Sequence, residues 1–100
     1  MFYRYVGRAE KASIDKSGVI KSMRGETYFT TERLDSAQEA QSRFALPVKP
    51  AFRFGPIPED EMPPMAAETL AIFQFPMPGQ GRETFTLEEV YVLGAKELAP

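Results

Sequence analysis

Met1-Phe2-Tyr3-Arg4-Tyr5-Val6-Gly7, the first stretch of the chain, decides how the rest of it is organised. Aromatic and β-branched residues from Phe2 to Val6 predict a strand, and Gly7 ends it. Arg4 stands in the middle of that strand, where a guanidinium among aromatic neighbours loses hydration energy unless it is paired. The sequence therefore predicts that something anionic lies opposite Arg4.

Two later stretches are the expected companions of Arg4. They are Thr27-Tyr28-Phe29-Thr30-Thr31 and Gly79-Gln80-Gly81-Arg82-Glu83-Thr84-Phe85. The first is rich in hydroxyl groups, and the glycines of the second let a bulky ligand approach the backbone just before Glu83. We expect the three stretches to meet in one cleft.

Composition limits what kind of protein this is. The chain has 100 residues, which predicts one domain, and 43% of them are hydrophobic, enough for a modest core. The formal net charge of -2 argues against a broad nucleic-acid groove, which needs a basic surplus. The sequence contains no cysteine and no histidine, so disulfides, cysteine nucleophiles and the usual zinc ligands and general base are excluded.

The apolar segments are short. No run reaches the roughly 18 residues that a membrane span needs. Arg4 and Arg8 interrupt the first apolar run, so the start of the sequence is not a signal peptide. Because the first strand begins at once, we expect the sequence to be a piece of a longer polypeptide.

Two short helices are expected in the N-terminal half. The first runs from Arg8 to Ser17 and ends at Gly18, and Val19 with Ile20 forms an apolar anchor after it. The second begins at Asp35 or Ser36 as N-cap, with Gln38 or Glu39 three residues on as the capping-box partner. Its apolar face and its end are given by Ala37, Ala40, Phe44 and Pro47.

The rest of the chain is expected to form strands and loops. Strands are predicted at Tyr28–Thr30, Leu70–Phe75 and Glu83–Thr86, and a last strand runs from Glu89 to Leu93 or to Glu97. A further short strand, Ala51–Phe54, is bounded by Pro50 and by Gly55-Pro56. Loops are predicted at Lys21–Glu26, Ile57–Met65 with its acidic run Glu59-Asp60-Glu61, and Pro76–Arg82. This order predicts an α+β fold with small helices packed against a bent antiparallel sheet.

Several of these motifs resemble one family. Tyr3-Arg4-Tyr5, Gly18-Val19-Ile20, Thr27 to Thr31 and Pro78-Gly79-Gln80-Gly81-Arg82-Glu83 follow one another as in small bacterial ADP-ribosyltransferase toxins. Within this group the chain is similar to the C-terminal toxin domains of Rhs polymorphic proteins that modify elongation factor Tu, and the segment Ser36–Pro50 also resembles them. The resemblance covers most of the chain, and the order and spacing of the motifs are more specific than any one of them.

The resemblance implies a compact ADP-ribosyltransferase-like fold over residues 1–100, with NAD as substrate and no metal. It implies that Arg4 is the first-strand arginine, that Thr30 with Thr31 forms the hydroxyl pair of the middle strand, and that Glu83 is the catalytic glutamate. Tyr28 or Phe29 would pack either on the nicotinamide ring or on the neighbouring strand. Many arginine-modifying relatives carry Glu or Gln two residues before the late glutamate, where this chain has Gly81, so the acceptor cannot be inferred to be arginine.

The resemblance also implies partners and a location. It describes an antibacterial effector domain, of the kind delivered by type VI secretion into the cytoplasm of a target bacterium, that blocks translation. The leading candidate target is elongation factor Tu. A cognate immunity protein would cover the cleft mouth near Gly79 to Glu83, and neither nucleic acid nor membrane is expected as a partner.

Other functions fit parts of the same sequence. A small ribonuclease toxin would use Glu83 as base and Arg4 or Arg82 on the phosphate. A non-enzymatic adaptor or immunity-like domain would suit the acidic charge and the proline-rich loops. Taken singly, Arg4 is compatible with an edge-strand arginine and Glu83 with a solvated charge at a strand start. Only their ordered combination favours the enzyme.

Overall fold

The computed structural model describes residues 1–21, 25–66, 69–70 and 81–100, with both α-helices in the N-terminal half and mostly strands after them. The helices are α1 (Arg8–Ser17) and α2 (Ala37–Phe44), with a 3₁₀ turn at Glu59–Glu61. The strands are β1 (Phe2–Val6), β2 (Val19–Ile20), β3 (Thr27–Phe29), β4 (Phe52–Ile57), β5 (Thr69–Leu70), β6 (Arg82–Thr86), β7 (Val90–Tyr91) and β8 (Ala95–Glu97). The predicted α+β class is confirmed.

The strands form antiparallel ladders in three small sheets. Their orders are β1-β4-β8, β3-β6-β5 and β2-β7. A single bridge connects the first two sheets, in which the Tyr3 amide donates to the Thr30 carbonyl at 2.7 Å and the Thr30 amide donates back at 2.9 Å. β1 is therefore the strand through which both larger sheets are joined.

The side chains of β1 alternate between two apolar clusters, as strand geometry requires. Tyr3 and Tyr5 face α2, and the Tyr5 ring stacks on that of Phe44 with 5.6 Å between the ring centroids. Val6 belongs to the opposite cluster, together with residues that include Ile14 of α1 and Phe54 of β4. Burying a large apolar side chain of this kind contributes about 1.5–3 kcal/mol, so these two clusters supply much of the folding energy.

The predicted helix boundaries agree with the structure. Gly18 ends α1 with a left-handed φ of 74° and donates its amide to the Ile14 carbonyl. Ser36, the second of the two candidates, is the N-cap of α2, and its hydroxyl accepts from the Glu39 amide. α2 ends at Phe44, with Ala45 left-handed, shortly before Pro47.

The predicted end of the fourth strand is wrong. Gly55-Pro56 was expected to end it, but β4 continues to Ile57 and pairs there with Phe2. The register between β1 and β4 shifts between Phe2 and Arg4, and Gly55 passes the shifted strand with a φ of +113°. An added Cβ at Gly55 would lie 2.4 Å from the Phe2 carbonyl oxygen, so the missing side chain is what lets the ladder continue.

Three further predictions differ from the structure or fall outside its description. The predicted last strand is two strands, because the chain leaves β2 after Tyr91 and joins β4 from Ala95 onward. The predicted loop after Ile57 contains the 3₁₀ turn. Of the predicted strand Leu70–Phe75 only Leu70 is described, in β5, and residues 22–24, 67–68 and 71–80 lie outside the described residues.

Candidate active site

The cleft begins where β1 and β3 separate. Within the described residues the two strands share only the Tyr3–Thr30 bridge, and the Arg4 side chain reaches across the gap beyond it. Its Nη1 donates to the Tyr28 carbonyl at 2.9 Å. At this point the Arg4 side chain, and not a backbone hydrogen bond, connects the two strands. A space remains between them.

This space is a cavity of about 50 Å³. Its lining is mostly aromatic, with one cation, one threonine and one carboxyl: Tyr3, Arg4, Tyr5, Tyr28, Phe29, Thr30, Phe44, Leu46 and Glu83. Since one water needs about 10–15 Å³ on this measure, the cavity holds about four waters and is smaller than the ~150 Å³ of a cavity that binds benzene. Arg4, Tyr28, Phe29, Thr30 and Glu83 meet here as the sequence predicts.

Thr31 is the predicted site residue that the structure does not bring to the cleft. Its side chain is exposed and lines a separate depression with Phe2 and Thr84. Successive residues of an extended chain point to opposite sides, so Thr30 and Thr31 cannot both face the cavity. Thr30 is buried, and its hydroxyl oxygen accepts from the Glu32 amide at 3.0 Å.

Arg4 has an acidic partner that sequence reasoning missed. Glu10, in the first turn of α1, accepts from Arg4 Nε at 2.8 Å and lies 2.7 Å from Arg4 Nη2 through the same oxygen. The anion expected opposite Arg4 is therefore present within the chain. Each Nη carries two N–H groups and uses at most one in these contacts, so donors remain for a ligand. The sequence did carry one indication of this pair: only Gly7 separates β1 from α1, so the first turn of the helix lies near Arg4.

Glu83 lies across the cavity on β6, opposite Thr69 of β5. Its side chain is half-buried and makes no hydrogen bond or ion pair with any residue that the structure describes. Burial raises the pKa of Glu83 to about 7, and the positive charge of Arg4 acts in the opposite direction. A carboxyl that titrates near neutral pH in a cleft is a frequent mark of a functional group.

The two aromatic candidates on β3 have different surroundings. Phe29 is 2% exposed and belongs to the core, although its edge lines the cavity. Tyr28 is partly exposed, and its hydroxyl donates to Glu26 at 2.8 Å. Desolvation, followed by this hydrogen bond, raises the pKa of Tyr28 to about 12, so its hydroxyl stays protonated. Tyr28 is therefore better placed than Phe29 to contact a ligand.

Contacts with α2 fix the start of β6 and hence Glu83. The Glu32 carboxylate accepts from Arg43 Nε at 3.0 Å and, through its other oxygen, from the Arg82 amide at 2.7 Å. The Gly81 amide donates to the Arg43 carbonyl at 2.7 Å, and a Cβ at Gly81 would lie 2.4 Å from the Phe44 ring. Glu32 was also missed in the sequence, and Gly81 serves packing against α2.

The arrangement suits a ligand with both a planar and an anionic part. Aromatic side chains form the walls, the Arg4 guanidinium has donors to spare, and the Glu83 carboxyl carries either a proton or a charge near neutral pH.

Within the described ranges no group of three or more acidic side chains could hold a metal ion. None of the helices described is long and apolar enough to cross a membrane.

No family model, no curated protein and no solved structure matches this chain. What the cleft does must therefore be inferred from its own residues.

Proposed function

We propose that this domain is a mono-ADP-ribosyltransferase toxin that cleaves NAD and transfers ADP-ribose to a protein. The observation that carries this function is that Arg4 and Glu83, from opposite ends of the chain, line one aromatic-walled cavity. These are the two residues that the resemblance to ADP-ribosyltransferase toxins requires to meet. Thr30 and Tyr28 line the same cavity.

The chemistry needs one ionised carboxylate. When the bond between nicotinamide and ribose breaks, nicotinamide leaves with the bonding electron pair as a neutral molecule, and positive charge develops on the ribose. Glu83 in its ionised form stabilises that charge. The acceptor then bonds to the ribose carbon and gives up a proton, which the carboxylate or water takes. Because burial raises the pKa of Glu83 to about 7, the ionised fraction grows through neutral pH.

The cavity dimensions indicate how the substrate would bind. A volume of about 50 Å³ is about a third of the ~150 Å³ of a cavity that binds benzene, so only an edge of the nicotinamide ring would enter and the rest of the dinucleotide would lie outside the cavity. The partly exposed Tyr28 ring can stack on nicotinamide. The remaining Arg4 donors can hold ribose or pyrophosphate oxygens at the mouth, since a guanidinium offers several directed N–H groups.

The protein partners follow from the same resemblance. Elongation factor Tu is the first acceptor to test, and its modification would block translation in a bacterium that received the domain. A cognate immunity protein would cover the cleft mouth at residues 79–83, of which 79 and 80 lie outside the described residues. Toxicity in cytoplasmic expression, relieved by such a partner, is the expected cellular behaviour.

The direct test is release of nicotinamide from NAD by the purified domain. We expect Glu83→Gln to lower the rate about 100- to 1000-fold, as loss of one transition-state contact commonly does. Glu88→Gln changes an exposed acid in the following turn and should leave the rate unchanged. Intact-mass measurement of treated bacterial proteins should show one added ADP-ribose group. Release of nicotinamide by Glu83→Gln at the wild-type rate would refute the proposed role.

A second candidate is a ribonuclease toxin, and the titration of Glu83 favours it. A carboxyl with a pKa of about 7 is well matched to general-base catalysis at neutral pH, and Arg4 could contact the phosphate. Incubation with tRNA or ribosomes separates the two functions. Cut RNA without nicotinamide release would replace the transferase with the nuclease. Inactivity toward both substrates, with no toxicity, would leave a non-enzymatic interaction domain.

A further inference from the structure

Arg4 lies beside two carboxylates but pairs with only one of them. It contacts Glu10 at 2.7 and 2.8 Å, whereas no ion pair between Arg4 and Glu83 occurs, although both side chains line the same cavity. The Glu10 side chain is 41% exposed and that of Arg4 is 20% exposed. The ion pair is thus made with the carboxylate on the helix and not with the half-buried one in the cleft.

We propose that Glu10 is a positioning residue, which holds the Arg4 guanidinium against α1 and the Tyr28 carbonyl and so keeps the Glu83 carboxyl unpaired for substrate. The assignment of Glu83 to catalysis rests on the function proposed above. The competition between Glu10 and Glu83 for Arg4 does not, since it depends only on the contacts within the folded domain.

The physical basis is competition for one cation. Two contacts from Glu10 and one from the Tyr28 carbonyl hold three nitrogen atoms of the guanidinium. Without the Glu10 charge, the nearest described carboxyl sharing the cavity with Arg4 is Glu83, and a half-buried carboxylate gains strongly from a charged partner. Arg4 would then neutralise the carboxylate that the developing charge on the ribose requires.

Few other charges oppose or assist this effect. From β3, Tyr28 faces Glu83 and remains neutral near pH 7, with its hydroxyl bonded to Glu26. Arg82, the neighbour of Glu83 on β6, is exposed, and the residue opposite on β5, Thr69, carries no charge. On α1, the other acid, Asp15, pairs with Lys11. Arg4 is the group through which Glu10 acts.

The test measures the pKa of Glu83 directly, by NMR of the intact domain with ¹³C-labelled glutamate. In Glu10→Gln we expect Arg4 to move toward Glu83 and to lower its pKa by about 1–3 units, the usual effect of an opposite charge at close range. Asp15→Asn alters the same helix without touching Arg4 and should not move it. An unchanged or raised Glu83 pKa in folded Glu10→Gln would overturn the proposal.

A double-mutant cycle separates positioning from a direct effect of the Glu10 charge. In an Arg4→Gln background, Glu10→Gln should leave the Glu83 pKa unchanged, because the guanidinium that links the two carboxylates is absent. A shift of the same size in that background would overturn the proposal. If Glu10→Gln does not fold, Glu10→Asp keeps the charge on a shorter stem, and we expect a smaller fall of the Glu83 pKa. An unchanged value in Glu10→Asp would then count against Glu10.

Activity provides a second measurement that distinguishes the two proposals. If NAD is cleaved, the pH profile of kcat/KM in Glu10→Gln should move to lower pH together with the Glu83 pKa. If NAD is not cleaved but the pKa falls, the proposed function fails and the positioning role of Glu10 stands. If NAD is cleaved and neither the pKa nor the profile moves, the positioning role fails alone.

Discussion

Arg4 and Arg53 lie on the paired strands β1 and β4, and each contacts an acidic side chain, yet their surroundings differ. The Arg53 side chain is 3% exposed, donates to Asp35 at 2.6 Å and to the Leu34 carbonyl at 2.9 Å, and lies over the Tyr3 ring. The Arg4 side chain is 20% exposed and borders a cavity with the Glu83 carboxyl, which has no ion-pair partner among the described residues.

The difference shows how one residue type serves structure in one region and a site in another. Arg53 is buried and attaches the segment before α2 to the sheet through the Leu34 carbonyl and Asp35. Its partner Asp35 is mostly exposed, and the guanidinium hydrogen bond lowers the pKa of that carboxyl. All three guanidinium nitrogens of Arg4 contact Glu10 or the Tyr28 carbonyl, whereas the buried Arg53 Nε has no hydrogen-bond partner among the described residues. The space beside Arg4 is nevertheless open.

The largest expected effect comes from truncating each arginine in turn. Arg53→Ala should lower the free energy of unfolding by about 3 kcal/mol, because it leaves a buried void and an unpaired Leu34 carbonyl. Arg4→Ala should lower it by about 1 kcal/mol, since the side chain borders solvent and its partner is partly exposed. Urea unfolding of both variants at neutral pH measures the difference.

Equal losses of stability would break the comparison, because Arg4 would then be as structural as Arg53. Catalysis should follow the opposite order. Arg4→Ala should abolish most nicotinamide release under conditions where it remains folded, whereas folded Arg53→Ala should retain activity. Far-UV circular dichroism under the assay conditions supplies the control for folding.

The sequence predicted Arg4 and missed Arg53, and the reason lies in what each position displays locally. Arg4 stands among aromatic residues at the start of the chain, so its burial is apparent from its neighbours. Arg53 is in a short predicted strand whose burial depends on β1 and β8 lying on either side of it. Glu10 and Glu32 were missed for the same reason, since their partners are chosen by tertiary contacts.

The fold was predictable where local chemistry determines it. Gly18 and Ser36 carry the signals for the ends of the helices, and both boundaries are confirmed. The continuation of β4 through Gly55 depends on a register shift in β1, which no feature near Gly55 indicates. The separation of β7 from β8 depends on which sheet each strand joins. Local signals therefore predicted elements, and long-range pairing decided their extents.

An intermediate effect is expected where the Arg4 region meets α2. Gly81→Ala should destabilise the domain by about 1–3 kcal/mol, because the new Cβ would fall 2.4 Å from the Phe44 ring and force that ring to move. Gly94→Ala is the matched control, since nothing lies within 4 Å of a Cβ there. Thermal unfolding of both variants gives the comparison.

If Gly81→Ala were as harmless as Gly94→Ala, the start of β6 would be free to shift, and Glu83 would not be held by α2. A destabilised but folded Gly81→Ala should also release nicotinamide more slowly, because a displaced carboxylate stabilises the developing charge less well. No such loss is expected at Gly94.

The smallest expected effect is the loss of folding stability that comes from leaving the Glu83 carboxylate without a partner. It tests the difference between the Arg4 and Arg53 regions most directly. Its pKa is about 7 in the folded domain, above the ordinary value of 4.5, so the folded state holds a proton that the unfolded chain has released. At a pH below both pKa values Glu83 does not lower the free energy of unfolding. Between about pH 4.5 and 7 the free energy of unfolding should fall as the pH rises. At pH 8 Glu83→Gln should therefore be more stable than the wild type, by about 1–2 kcal/mol after allowance for partial exposure.

Urea unfolding of Glu83→Gln and the wild type at pH 4 and pH 8 measures this cost, with Glu88→Gln as the exposed control. The two proteins should be nearly equal at pH 4 and separate at pH 8. A wild type that is the more stable at pH 8 would mean that Arg4 already pairs with Glu83, which would make the two arginine regions alike. A gain in stability that accompanies the loss of activity would instead identify Glu83 as a residue retained at the expense of the fold.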